Sequence, residues 1–504
     1  MKMKSKNRGL AENNNVGSKL DGEQLLLPFN TASHQELPAA GYRNGTSLNN
    51  DGSNGNYWSA TLNEDNNYNN AWNLFNNGNY NSNNNYNRNN GLSVRPVEIT
   101  DTVATPSKTP YRLSREQLLV DLFKAYKDAR HHKRKTCKQV EFEIDMERKL
   151  VELRNDLWYR RYVPGASVCF VINDPKKREI FAAEFRDRIV HHLYYNYTSP
   201  IFERTFIADS YSCRKGKGTH YGVRRLVAHI RSCSNNYRKK CYVLKCDIKG
   251  YFMNINRSRL LRICNETLVR MSNHQSDKQG LKWVEVIDYD FVNYLSEVII
   301  LNDPVDNCIV KGDKNGWRDL PESKSLFKTS KGCGVPIGNL TSQLFSNVYM
   351  NVFDQFVKRK CGQCHYGRYV DDAYVVSCEK WRLRKLIGDF DMFLRSSLGL
   401  TLHPDKTMIK NIEYGVEFLG VYVKPFREYV RNSTKCRIKH SVSRLDGVHG
   451  KKLECSVNSY LGVLSHYKSY NIRKDLFKGN KCLNLQGCFN ETLTKYKVMS
   501  LRLN

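Results

Sequence analysis

Between Ser114 and Tyr126 the apolar residues fall at helical spacing, with Leu118, Leu119, Leu122, Phe123 and Tyr126 on one stripe. Ser114, with Glu116 and Gln117 close behind it, supplies the start signal of that helix. From about residue 160 to 425 short β-rich runs alternate with helical stretches. CYVLKCDI (241–248), YVVSC (374–378) and FLGVYV (418–423) each read as a buried strand. Strands interleaved with helices predict an α/β or α+β domain. Residues 426–504 are basic and mostly helical in pattern, with a Tyr-rich stretch at 456–474.

Upstream the pattern is different. Residues 1–40 are polar and aperiodic, which predicts disorder. From 41 to 97 Asn dominates, interrupted by Tyr, Trp, Ser and Gly, a low-complexity composition. Residues 98–110 (EITDTVATPSKTP) read as a linker to a main domain over 111–425.

Composition narrows the function. The chain has 504 residues, 40% of them hydrophobic, enough for two or three packed domains. Lys and Arg number 80 against 50 Asp and Glu, a formal net charge of +30. That surplus attracts polyanions: nucleic acid first, an anionic membrane second. No apolar run is long enough to span a bilayer, and no apolar segment follows the basic N-terminus, so the cytoplasm is the expected location. The 16 cysteines are then expected as thiols. HHKRKTCK (131–138) reads as a solvated helix end or as a nucleic-acid contact.

The chemistry concentrates on carboxylates. In RYVDDAYVV (368–376) Asp371 and Asp372 lie between two apolar runs, which predicts a hairpin with both at its turn. Adjacent buried carboxylates repel unless a cation compensates, and a divalent metal is the usual one. Asp247 ends another apolar strand. Three carboxylates at one sheet edge suit two Mg²⁺ ions about 3.5–4 Å apart, the arrangement of two-metal phosphoryl transfer.

These motifs resemble those of the reverse transcriptase family. Asp247 matches the first catalytic aspartate, and Tyr369-Val370-Asp371-Asp372 the tyrosine-x-Asp-Asp box. KKREIFAAEFRDRIVHH (176–192), SYSCRKGKGTH (210–220), LGLTLHPDKTMI (398–409) and VEFLGVYV (416–423) are similar to its other motifs, in order. The resemblance spans roughly 112–480 and implies a right-hand polymerase with fingers, a ferredoxin-like antiparallel palm and a helical thumb over 426–504. It implies catalysis by Asp247, Asp371 and Asp372, and a metal set of Asp247, Ile248, Asp371 and Asp372 holding two Mg²⁺, with Mn²⁺ as a substitute. Arg178 would contact the incoming dNTP. Arg186 or Arg188 would assist or brace, unless they pair with Glu184 or Asp187. Phe252 would pack beneath the deoxyribose, and Lys406 would help protonate the leaving group, unless it is a plain surface lysine. Template RNA and an RNA/DNA primer–template are the implied partners.

KGCGVPIGNLTSQLFSNVYMN (331–351) narrows the resemblance. Most of the family carries Gln before the glycine, where it contacts the template–nucleotide pair. Here Ile337 precedes Gly338, and the run continues to Gln343. Ile-Gly-Asn-x-Thr-Ser-Gln resembles the enzymes of diversity-generating retroelements, which misincorporate opposite template adenine. An apolar Ile337 loses a hydrogen-bond check on the pair. Residues 41–97 resemble the variable-repeat part of the lectin-like targets of these elements. An Asn codon with its adenines randomised yields many amino acids and no stop, so residues 56–97 read as the element's own template repeat translated in frame. Such a fragment is expected to be disordered or poorly packed; the rival reading is a fused ligand-binding module. The resemblance also implies a small basic accessory protein.

Cys361-Gly-Gln-Cys364-His365 has half a zinc site's spacing, but no second pair follows, and an exposed turn is expected. Cys246 and Cys378 are expected in core strands. Tyr460, Tyr467 and Tyr470 with Lys468, Arg473 and Lys474 are expected on thumb helices, gripping the duplex backbone or packing a core. The stretch 270–330 suggests a fingers-side extension. Alternatives are another bacterial reverse transcriptase (retron, group II intron or phage-defence type) and a non-catalytic RNA-binding protein on the same fold.

Overall fold

The computed structural model describes residues 110–499 except 132, 134–135, 174–175, 279 and 446, together with the backbone course of six strands between residues 40 and 92. The expectations of disorder over 1–39 and of a linker over 98–109 lie outside the described residues. The Asn-rich stretch differs from expectation, because its strands form one sheet. In that sheet Ser47–Asp51, Ala40–Asn44, Gly55–Leu62, Asn70–Asn76 and Asn81–Asn87 lie side by side, and Gly91–Leu92 also pairs with Ala40–Asn44. The signal for it is that Tyr, Trp and Phe recur among the asparagines, and aromatics favour strands. Asn70–Asn76 pairs with Asn81–Asn87 in unbroken antiparallel register.

The chain divides into two compact units. One comprises Met1–Arg204, Cys264–Asp319 and Pro336–Ser342; the other comprises Thr205–Ile263, Leu320–Val335 and Gln343–Asn504.

In the first unit the helix Arg115–Arg130 begins where the sequence places it, with Ser114 Oγ accepting from the Gln117 amide at 3.1 Å. Its Leu118, Leu119 and Leu122 are buried, while Phe123 and Tyr126 are half-buried. The helices Met146–Trp158 and Phe185–Glu203 add Leu150, Leu153, Leu157, Ile189 and Leu193 to the buried set. A three-stranded sheet runs Cys308–Val310, Ser167–Ile172, Arg178–Ala182. Its outer strand, Cys308–Val310, comes from the 270–330 stretch, of which residues 270–319 belong to this unit and 320–330 to the other.

The second unit contains a four-stranded antiparallel sheet in the order Tyr366–Tyr369, Asp372–Ser377, Tyr242–Cys246, Met408–Asn411. Helix Leu340–Gln355 precedes the hairpin and helix Lys380–Phe393 follows it, so strands and helices alternate as in the ferredoxin-like arrangement. The outer edge is not open. The Tyr211 amide donates to the Arg368 carbonyl at 3.0 Å, and the Arg368 amide to the Asp209 carbonyl at 2.9 Å.

FLGVYV is not one strand. The chain reverses at Leu419 (φ +50°) and Gly420 (φ +82°), which separate Val416–Phe418 from Val421–Lys424. Two left-handed residues make the tight turn whose twist matches a hairpin. Past Val430 a second core gathers Leu453, Val457, Leu461, Leu464, Phe477 and Leu483. Helices Asn432–Ser443 and Gly450–Ser465 bear out the helical pattern, but the region ends on a hairpin, Gly487–Phe489 with Tyr496–Val498.

Candidate active site

Alternation along Tyr242–Cys246 puts Lys245 on the same side as Asp247 and sends Cys246 to the other. Ala373 pairs with Cys246, so the next step of the ladder sets Asp372 opposite Asp247. Tyr369 pairs with Asp372, which leaves Val370 and Asp371 as a two-residue turn. Sheet register thus brings Asp247, Asp371 and Asp372 together; Asp371 lies in the turn as expected, but Asp372 does not, because it already pairs with Tyr369 and opens the strand Asp372–Ser377.

Val370 holds φ +55°. For a β-branched residue that is a strained conformation costing about 1–3 kcal/mol, and it persists only where the surroundings impose it. Arg368 is the group that imposes it. Its Nη1 donates to the Val370 carbonyl at 2.7 Å. Its Nε and Nη2 grip Asp354 at 2.8 and 2.7 Å, and Nη2 reaches Ser210 Oγ at 3.2 Å. Arg368 and Asp354 are wholly buried. Tyr366 also donates to Asp354, at 2.6 Å. This brace was not singled out from the sequence; its signal is a charged residue inside an apolar strand, two residues before the turn.

Burial outweighs the positive charge beside the carboxylates. Burial, then the neighbouring Asp247, pushes Asp371 up to about 6. Burial pushes Asp372 up to about 7 even though Lys245 Nζ stands 3.1 Å from its Oδ2. Asp372 Oδ1 is buried with no hydrogen-bond partner. Lys406 pairs with Asp247, so it is part of this cluster and not a detached surface lysine. Among the described residues no three His, Cys, Asp or Glu side chains are gathered tightly enough to cage an ion. Two lysine amines supply the cationic partners instead. An orphaned buried oxygen among carboxylates held partly protonated is nonetheless a donor set that fits a divalent cation.

Ile248 is buried next to Asp247 and bridges Leu402. Gly250 takes φ +56° and opens the short helix Tyr251–Asn254. Phe252 in that helix is half-buried, its ring 5.2 Å from that of Tyr251. Gln343 is exposed on helix Leu340–Gln355.

The remaining candidates belong to the first unit. Arg178 opens its strand and is exposed. Arg186 pairs with Asp156 at 2.5 Å, not with Glu184 or Asp187. Neighbours one and two residues away on a helix do not face each other. Asp187 instead accepts from Tyr162 Oη at 2.7 Å and the Gly165 amide at 2.9 Å. Arg188 donates Nε to the Ala183 carbonyl at 2.8 Å. The Ile337 carbonyl accepts from the Phe181 amide at 2.9 Å. Gly338, at φ +135°, lies so close that a Cβ would meet the Phe181 carbonyl oxygen at 2.8 Å.

Among the other candidates, Cys361 to His365 form a turn before Tyr366–Tyr369, with Cys364 exposed and His365 Nε2 3.1 Å from Ser232 Oγ. Cys246 is buried as expected. Cys378 falls just past its strand, half-buried and 3.7 Å from the Cys233 sulfur, because the ladder ends at Ser377. Tyr460 lies on helix Gly450–Ser465 and Tyr470 and Arg473 on Tyr470–Arg473; Tyr467 and Lys468 fall between the two. Tyr467 Oη lies 2.8 Å from His220 Nδ1, and Tyr470 is exposed.

Comparison with known proteins gives two family matches. Residues 173–423 match the model described as reverse transcriptase (RNA-dependent DNA polymerase), and residues 23–97 match a domain of unknown function (DUF8237). Protein YkfC of Escherichia coli (strain K12) is 23% identical over 302 residues, covering 53% of this chain and 69% of its own. The putative COX1/OXI3 intron 2 protein of Saccharomyces cerevisiae is 27% identical over 262 residues, covering 46% of this chain and 30% of its own. Among solved structures, apo telomerase from Candida tropicalis aligns with a TM-score of 0.38 and 14% identity, over 53% of this chain and 55% of its own. Telomerase from Candida albicans in complex with the TWJ fragment of telomeric RNA aligns with a TM-score of 0.37 and 12% identity, over 65% and 59%. The chain therefore spans less than a third of the yeast intron protein and little more than half of those telomerases.

Proposed function

We propose, from the premise that this chain carries a reverse transcriptase domain over residues 173–423 and is an RNA-directed DNA polymerase, that it copies the template-repeat RNA of a diversity-generating retroelement into cDNA with errors concentrated at template adenines. The observation that carries this reading is Ile337. Its main chain is tied to the strand that Arg178 opens, through the Phe181 amide, and its side chain has no group to hydrogen-bond a base pair. A pair that is not checked by a donor or acceptor is discriminated only by shape, which rejects mismatches weakly.

Asp247, Asp371 and Asp372, with the adjoining Ile248, are the residues to hold divalent metal. Mg²⁺ bound there, or Mn²⁺ in its place, supplies Lewis-acid activation of the primer hydroxyl and charge neutralisation at the triphosphate. The protein's part is placement. Arg368 fixes the turn, Lys245 and Lys406 hold positive charge on the carboxylates, Arg178 offers a planar fork to a phosphate, and Phe252 offers a ring to the sugar. Template RNA, primer–template, dNTPs and a small basic accessory protein are the proposed partners, in the cytoplasm. No described helix is long and apolar enough to cross a membrane.

Two observations favour second readings. The sheet between residues 40 and 92 and the domain match over 23–97 favour a fused module over a translated template repeat. Similarity to YkfC and the yeast intron protein favours a reverse transcriptase of another class.

Primer extension tests the proposal. The template is an RNA spanning this gene's Asn-coding region, with Mg²⁺, four dNTPs and sequencing of the product; Asp371→Ala controls for contaminating polymerase. Errors concentrated at adenines that fall in Ile337→Gln support the retroelement reading. Faithful cDNA moves the enzyme to another class. No cDNA with accessory protein supplied leaves the non-catalytic RNA-binding alternative.

A further inference from the structure

The end of the four-stranded sheet remote from the aspartates carries cations and an exposed indole that catalysis does not use. The central strand starts at Tyr242, five residues before Asp247. At about 3.3 Å per residue that end lies roughly 17 Å from the carboxylates. Lys380 Nζ stands 5.8 Å from the centre of the Tyr242 ring. Lys380 opens helix Lys380–Phe393, which buries Leu383, Leu386 and Phe390 and leaves Lys380, Trp381, Arg382, Arg384 and Lys385 exposed. Trp381 is 61% exposed.

The loop leading to the same strand end adds Arg238, Lys239 and Lys240, all exposed. The backbone before them is strained: Asn235, Asn236 and Tyr237 hold φ +48°, +57° and +67°. Consecutive left-handed residues other than glycine are unfavourable and require support. Here the Asn236 amide donates to the Arg231 carbonyl at 2.7 Å and the Lys239 amide to the Ser234 carbonyl at 2.9 Å. The Tyr237 ring packs 4.6 Å from that of Phe426. The supported turn delivers three successive exposed cations to the end of the sheet. Across 235–242 and 379–385 the sequence holds seven Lys or Arg and one acid, Glu379, which pairs with Arg382 at 2.9 Å.

We propose that this end of the sheet is a second RNA surface, holding unpaired RNA that lies outside the copying site, such as sequence flanking the copied region. The charge attracts any polyanion, and the exposed indole selects among them. A planar ring beside Lys380 and Arg382 suits an unpaired base, which every single strand offers and which neither a lipid headgroup nor an acidic peptide has. The surface rests on RNA being the polymerase's template, and its remoteness from Asp247 makes it separable from the chemistry.

The test uses the full chain and two primer–templates, one short and one carrying a long unpaired extension of unrelated sequence. Binding is read by anisotropy across salt concentrations, and extension by gel. The parent is expected to bind the extended RNA more tightly. Trp381→Ala should remove roughly tenfold of that advantage, and Trp381→Phe should keep most of it. Lys380→Gln with Arg384→Gln and Lys385→Gln should flatten the salt dependence by about two counterions. Extension of the short primer–template should be unchanged in all of them, which also shows that the variants fold. If the variants keep the parent's preference for extended RNA, the proposal fails while the polymerase reading stands. It also fails if Trp381→Ala weakens anionic vesicles as much as RNA.

Discussion

Arg368 Nη1 donates to the Val370 carbonyl at 2.7 Å, so a guanidinium fully enclosed by protein holds the turn that carries Asp371. Its salt bridge to Asp354 lies on the far side of the same guanidinium. Removing one member of such a pair strands a buried charge.

Asp354→Asn or Arg368→Met is therefore expected to cost about 3–5 kcal/mol of stability. Arg368→Met with Asp354→Leu should regain most of that but not the activity, which should remain down roughly a hundredfold because the turn loses its anchor. Denaturant melts and single-turnover rates of the three variants check this. A double variant with normal turnover would show that the brace does not position the aspartates.

Val370→Gly isolates the strain. Glycine relieves about 1–2 kcal/mol at φ +55° and gives back about 0.5–1 kcal/mol in chain entropy. The melting temperature should hold or rise slightly while the polymerisation rate falls. A marked drop in melting temperature would mean that the turn carries no strain.

The aspartates give a pH signature. In the metal-free protein Asp371 and Asp372 are raised to about 6 and about 7. Carboxyls raised on folding bind protons more tightly in the folded state, so their stabilisation is complete below about pH 4 and is lost as pH rises through 6 to 7. Asp372→Asn removes one ionisation and should stabilise the chelated protein at pH 8 by on the order of 2–4 kcal/mol while abolishing polymerisation. Mg²⁺ should raise the parent's melting temperature at pH 8 more than the variant's. Equal stability of parent and variant from pH 4 to 8 would contradict the raised values.

Gly338→Ala places a Cβ 2.8 Å from the Phe181 carbonyl oxygen at φ +135°. Destabilisation of at least about 1 kcal/mol is expected. Hydrogen exchange at the Phe181 amide, which donates to Ile337, should speed up. Unchanged protection would show that the contact is not tight.

The sequence made the acidic centre legible because each aspartate ends or interrupts an apolar strand, and strand register does the rest. Ser114 was legible for a similar reason, since its hydroxyl acts on an amide three residues away. What stayed hidden depends on distant partners. Asp354 meets Arg368 across a helix and a strand, and Asp156 reaches Arg186 from another helix. Leu419 in a left-handed turn runs against its own preference, so only Gly420 hinted that FLGVYV reverses. The Asn-rich stretch misled because composition does not show the ladder that asparagine backbones form.

The strand carrying Arg368 is flanked by residues 209–211 on one side and by the other half of its hairpin, Asp372–Ser377, on the other; that half in turn lies against Tyr242–Cys246. Both outer neighbours leave the ribosome more than a hundred residues before the hairpin does. A nascent chain thus displays two strand-like segments with a gap between them, waiting for the insert that completes the centre. Pairing across such separations is slow, so truncated products should be sticky as well as inactive, and a pause in synthesis before residue 366 would be a point where chaperones engage.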